Sequence, residues 1–393
     1  MNRVWRQLAI ATNWPVLVAT LVLSSLGIIS IWAYNPSLGQ KQLLFCAVAA
    51  AFLISLQAIN YLLLVRWAWT LYLLSLALVL YTVLGWLHAL PLVHPTKGAS
   101  CWIAISSAQS GSLVSFEPTE LMKLSYVLVM ARYLRFRSNY RTLIGLLPPF
   151  ALTLIPMALI LKQPDLGVAA LFVPTLLALL FVAGARIKHL LIIFGVGILI
   201  VPPLWLAGRP DVPFFRHLPA LVRPYQRTRV LSMFSSDART NQDSGEQQLR
   251  AMEAIGSGGL FGKGLGVVPI GKRIPEAHND MVYALVAEQF GLLGSLAVLA
   301  AYIVLFAAGV EIAAATREPF GKLVAVGIVC FLAAQAFLNL MVVMRLFPVT
   351  GVTLPFVSYG GSSLVASFIA SGLLLNIGQN RPLVIARDSF EFD

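Results

Sequence analysis

Carboxylates and cations stationed at the ends of apolar stretches are the groups with which this chain can do chemistry. The densest such stretch, SGEQQLRAMEAIGSGGLFGKGLGVVPIGKRIPEAHNDMVYALVAEQFG, runs from Ser244 to Gly291. It begins polar, passes through glycines and the basic pair Lys272 and Arg273, and reaches PEAHND at Pro275–Asp280 before an apolar helix begins. Asp280 is therefore placed where water meets hydrocarbon, with Glu288 eight residues deeper. A carboxylate at the mouth of a membrane helix is costly unless solvated, paired or used, which makes Asp280 the first candidate. On a helix Asp280, Ala284, Ala287 and Glu288 share one face, whose small residues allow close helix approach or leave room for a ligand. His278, two residues before Asp280, reads as a loop or capping histidine ahead of a catalytic base.

Two further charged blocks lie upstream. In FEPTELMKL, Glu117, Glu120 and Lys123 fall at i, i+3 and i+6 along one helical face, and Pro118 suits the first turn. Glu120 and Lys123 form either a structural buried pair or the polar wall of a cavity that opens outward. Asp165 in KQPDLG is either a helix cap or a member of the same outer cluster. Near the end, VTLPFVSYGGSSLVAS introduces the last span, along which Ser363, Ser367 and Ser371 fall at i, i+4 and i+8, a helix-packing face.

The elements that must position these groups are membrane helices. Of 393 residues, 59% are hydrophobic and 11% charged, with a mean hydropathy of +0.83; a soluble domain carries roughly 25% charged residues. Ten apolar runs are long enough to span, near 14–33, 42–64, 67–87, 118–134, 143–161, 165–184, 188–207, 280–309, 322–345 and 353–377. The first is too long for a cleaved leader and reads as a retained span. With the N-terminus inside, cytoplasmic segments hold thirteen Lys and Arg and the short outer segments four. The positive-inside rule then places both termini in the cytoplasm and the long loop 208–279 outside. The expected architecture is an all-α polytopic membrane protein, residues 1–393 forming one integral membrane domain with a short cytoplasmic tail at 379–393. Within the outer loop, Gln247–Ile255 reads as a short amphipathic helix with Leu249, Met252 and Ile255 on one side. The net charge of +12 fits lipid-facing positive-inside bias and not nucleic-acid binding, since the basic residues are scattered. Three cysteines, Cys46, Cys101 and Cys330, offer neither a disulfide framework nor metal-ligand spacing.

Taken together, FEPTELMKL, KQPDLG, SGGLFGKGLG, PEAHND and LPFVSYGGSS resemble, in order, the blocks of the SEDS family, the RodA, FtsW and SpoVE proteins of bacterial elongation, division and sporulation. The resemblance covers about residues 98–378. It implies a peptidoglycan glycosyltransferase of the bacterial cytoplasmic (inner) membrane. Such an enzyme polymerises lipid II at the outer face beside a class B penicillin-binding protein, a transpeptidase. The family's essential aspartate carries over to Asp280, its cavity acid and lysine to Glu120 and Lys123, and its QPD aspartate to Asp165. Two departures stand out: Cys101-Trp102 occupies the place of an Arg-Trp pair, and Glu117 that of a glutamine. Trp102 is retained as a substrate-site candidate.

The implied reaction inverts the sugar anomer, so one base must take the acceptor's proton as the new bond forms; Asp280 is the candidate. The leaving diphosphate needs positive charge, from Lys272 and Arg273, from loop arginines, or from a divalent cation such as Mg or Mn. The rival readings are a lipid-linked sugar flippase, whose charges would be spread through the bilayer depth, and an inactive scaffold for the transpeptidase.

Overall fold

The computed structural model describes residues 13–88, 93, 102–106, 113–207, 227 and 244–380. Cys101, the tail beyond 380 and the outer-loop arginines Arg209, Arg216, Arg223, Arg229 and Arg239 lie outside them. Ten long helices follow the ten apolar runs in order. They are α1 (Trp14–Tyr34), α2 (Pro36–Gln57), α3 (Leu63–His88), α4 (Pro118–Phe136), α5 (Leu147–Lys162), α6 (Leu166–Ala183), α7 (Ile187–Leu206), α9 (Val282–Ala315), α10 (Pro319–Val343) and α11 (Gly361–Gln379), with the outer-loop helix α8 (Ser244–Ser257) between α7 and α9. A two-stranded hairpin, β1 (Ile103–Ser106) and β2 (Leu113–Phe116), precedes α4. Eight of the helices are long and apolar enough to cross a membrane.

Local chemistry sets the helix ends. α2 begins at Pro36, earlier than residue 42, because Asn35 caps it: its side chain accepts from the Ser37 amide at 3.1 Å. Asp165 caps α6 in the same way, accepting from the Val168 amide at 3.0 Å. α11 begins at Gly361 instead of 353, since the preceding loop includes Phe356 at φ 67° and cannot be helical. Burial separates inner helices from outer ones: 78% of the apolar window of α11 and 61% of that of α10 are buried, against 22% for α2 and α3. α2 packs along α11, α1 along α9, α3 along α4, and α6 along α10. Ser371 meets Thr20 at 3.0 Å and Gly372 lies against the Leu53 backbone, so the small face of α11 serves packing.

The eighth span departs most from its reading as one continuous helix. α9 is broken at Gly291, with φ 65° and ψ −156°, into an outer arm of residues 282–290 and a long inner segment. The glycine run fills the break. The amides of Lys263 and Gly264 donate to the carbonyls of Glu288 and Gln289, at 2.9 and 3.2 Å. Across the break, the amides of Leu292 and Leu293 donate to Gly259 and Leu260, at 2.8 and 3.2 Å. Every helix end exposes such groups, and here the loop satisfies them. A Cβ on Gly262 would stand 2.1 Å from the Gln289 carbonyl oxygen, so the close approach itself demands glycine.

α8 is longer than Gln247–Ile255. Gln248, Ala251 and Ala254 are buried, whereas Leu249 and Met252 are 39% and 45% exposed. The protein is met by the small-residue side; Leu249 and Met252 face outward, as on a helix lying at a lipid surface, while Ile255 is half-buried against the core. Gln248 Nε2 fastens α8 to the end of α10, donating to Val342 O at 2.8 Å and Phe347 O at 2.7 Å.

Candidate functional site

Asp280 sits half-buried in the turn just before α9. Its carbonyl accepts from Asn339 Nδ2 at 2.7 Å, and the same amide donates to Val352 O at 2.8 Å. Asn339 is fully buried in α10. One turn away on that helix, Gln335 Nε2 donates to Thr353 O at 3.0 Å, and its Oε1 accepts from Lys123 Nζ at 2.8 Å. Lys123 Nζ also meets Glu120 Oε2 at 2.8 Å, both side chains being 7% exposed. Two amides four residues apart on α10 thus join the turn carrying Asp280 to the pair on α4. Glu120, Lys123, Phe331, Gln335 and Ser367 line a narrow pocket between α4, α10 and α11.

Other groups surround the outer ends of the helices. The first turn of α6, behind Asp165, is pressed against the loop segment that Asn339 and Gln335 hold: a Cβ on Gly167 would meet Val352 at 2.3 Å and Thr350 at 2.7 Å. Glu117, just ahead of α4, accepts from Thr119 Oγ1 at 2.6 Å, and its amide donates to Ser362 Oγ at 3.1 Å. Glu117 keeps part of its surface exposed, yet burial of the carboxyl, then the charge of Glu120, pushes it up to about 8; Asp165 raises it further and Lys123 opposes. Trp102 is half-buried ahead of β1; because Ile103 pairs with Phe116, its backbone runs beside Glu117.

His278 is held as a spacer. Its ring lies between Tyr34 and Tyr359, with centroids at 6.0 and 5.4 Å, and its carbonyl accepts from the Tyr359 amide at 2.9 Å. Lys272 and Arg273 occupy an exposed 3-10 turn, Gly271–Arg273, seven residues before Asp280. α8 braces the backbone there: Arg250 donates to Arg273 O, and Gln247 Nε2 to Pro275 O at 2.9 Å. Arg227 bonds Ala207 O at the end of α7.

Glu288 does not share a ligand face with Asp280. Asp280 precedes the helix, Ala284 and Ala287 are buried, and Gly258 packs onto the Ala287 carbonyl, so the small residues admit the glycine loop. The amides Gln335 and Asn339 and the loop residues Val352 and Thr353 were not among the sequence candidates. Their signal was present, as two polar side chains four residues apart inside an apolar run. Among the described residues, no group of three or more His, Cys, Asp or Glu could hold a metal ion.

Comparison with known proteins bears on this arrangement. The family model described as cell cycle protein, covering FtsW, RodA and SpoVE, matches residues 4–382. Stage V sporulation protein E of Bacillus subtilis is 30% identical over 383 residues, 93% of this chain and 96% of that protein. Peptidoglycan glycosyltransferase MrdB of Escherichia coli is 32% identical over 295 residues, 74% of this chain and 73% of its own. A chain from a solved peptidoglycan synthase complex, described as coordinating polymerization and crosslinking, superposes with a TM-score of 0.77 at 28% identity, covering 95% of this chain and 99% of that one.

Proposed function

Because this chain belongs to the FtsW, RodA and SpoVE family, we propose that Asp280 is the general base with which it polymerises lipid II. The protein is a multi-pass peptidoglycan glycosyltransferase of the bacterial inner membrane, acting in cell-wall synthesis for shape or division. In the reaction an acceptor hydroxyl gives its proton to the Asp280 carboxylate while its oxygen attacks the anomeric carbon of the donor sugar. The bond from that carbon to the diphosphate breaks, and the electron pair leaves with the polyprenyl diphosphate. A diphosphate is already a good leaving group, so it needs positive charge in place of an acid; Lys272 and Arg273 supply it from the turn preceding Asp280.

The observation that carries this reading is the tie from Asp280 through Asn339 and Gln335 to the cavity of Glu120 and Lys123. It supports a carboxylate at the outer surface whose position is fixed by the same helix that lines the cavity. Lys123, already shared between Glu120 and Gln335, orients substrate polar groups there, with Asp165 at the rim and Trp102 beside Glu117. His278 orients the Asp280 turn by packing. The polyprenyl tail stays in the bilayer while the head group enters from outside. The partner is a class B penicillin-binding protein, which crosslinks the product strand.

The test is fluorescent lipid II given to the purified chain and its transpeptidase in detergent. Glycan ladders are expected. Transport cannot make them, so their absence with a folded complex would favour the flippase or scaffold reading.

A further inference from the structure

Glu288 is fully buried, and glycosyl transfer as described above gives it no task. Its carboxylate nevertheless collects three donors from one loop. Oε1 accepts from Lys263 Nζ at 2.8 Å and the Ile270 amide at 3.1 Å, and Oε2 from the Gly271 amide at 2.8 Å. The Glu288 carbonyl also accepts from the Lys263 amide. Gly271 opens the turn that bears Lys272 and Arg273, and a Cβ there would stand 2.4 Å from Leu285 Cδ2 and 3.1 Å from Glu288 Oε2. The outer arm of α9 therefore begins just after Asp280 and ends at the clamp that grips the cationic turn.

We propose that Glu288 is a positioning residue for the reaction: it fixes Lys272 and Arg273 relative to Asp280, so that base and diphosphate site are registered on one short rigid arm. This rests on the reading of Lys272 and Arg273 as the diphosphate contact. Charge-assisted bonds to backbone amides are both strong and directional, and a buried carboxylate held by three donors from 263–271 resists movement of that loop. The break at Gly291 interrupts the helical ladder between the arm and the inner segment, so the bonds that the loop makes to both sides of the break set the arm's orientation.

The experiment uses the full chain with its transpeptidase and lipid II, comparing Glu288→Gln, Lys272→Ala/Arg273→Ala, and the three changes combined. Hydrogen exchange at residues 268–273 reports the clamp directly. Glu288→Gln should lose protection there, with residues 292–315 unchanged, and lose up to roughly 100-fold in kcat/KM, since misplacement by about 1 Å can cost that much. In the Lys272→Ala/Arg273→Ala background the same change should cost little more, because its effect passes through those side chains. If Glu288→Gln does not fold, Glu288→Asp, which keeps the charge but draws back from the amides, is read by the same measures. Lost protection with full activity, or fully additive losses, would overturn the positioning role while leaving the cationic turn intact. Full activity of Lys272→Ala/Arg273→Ala alone would instead remove the diphosphate reading and this inference with it.

Discussion

Lys123 serves two acceptors at once, Glu120 and Gln335, in a place where an unpaired charge has no water to turn to. Removing one member of a buried pair costs about 3–5 kcal/mol, whereas removing both charges is often close to neutral. Lys123→Ala should therefore lower both the melting temperature and polymerisation. Lys123→Met with Glu120→Gln should recover the melting temperature while activity stays low; recovery of both would reduce the pair to a strut. Glu117 follows a different rule. Its folded value of about 8 lies above the roughly 4.3 of an unfolded glutamate, so the fold favours the neutral acid. That contribution is complete at pH below the unfolded value and disappears as pH rises through about 8. Thermal stability should fall between about pH 4.3 and pH 8 and level off above, and Glu117→Gln should flatten that fall, which melting curves across the range would check. A protonated Glu117 also presents the neutral shape of the glutamine that the family places there.

Elements differ in how openly the sequence announces them. Ten long helices could be read because burial in lipid demands about 20 apolar residues each, though only eight of those described are long and apolar enough to cross a membrane, and Asp165 could be read as the cap of α6 because a capping carboxylate is recognisable as such. The break in α9 could not be read. Glycines are common in membrane helices, and only the backbone of Leu260 and Gly262 approaching Gly291 makes that one indispensable. Glu288 looked like a deeper partner for Asp280 for the same reason: its donors come from a loop whose path depends on the break. Gln335 and Asn339 were visible as polar residues at helical spacing, but their acceptors lie on the loop residues Val352 and Thr353 and on the Asp280 turn, which spacing cannot place. Gly291→Ala must hold an alanine in left-handed backbone, costing about 1–2 kcal/mol, with its Cβ driven onto the Gly262 amide. It should lower the melting temperature clearly, whereas Gly256→Ala, with nothing within 4 Å, should leave it unchanged or slightly raised.

At the scale of the whole molecule, the helices give a two-dimensional solvent and a single wet face their separate uses. α10 and α11 form the inner layer, α2 and α3 present most of their surface outward, and the short arm of α9 begins just after Asp280. A substrate with a polyprenyl tail and a diphosphate head can meet such a surface without leaving lipid. The measurement that bears most directly on the central claim is polymerisation of fluorescent lipid II by the purified complex carrying Asp280→Asn, a change that keeps size and removes charge. Loss of a general base costs roughly 100- to 10,000-fold, so glycan ladders should vanish while the melting temperature and assembly with the transpeptidase stay as in the wild type. Ladders of wild-type length, formed at the wild-type rate, would show that the proton is taken elsewhere.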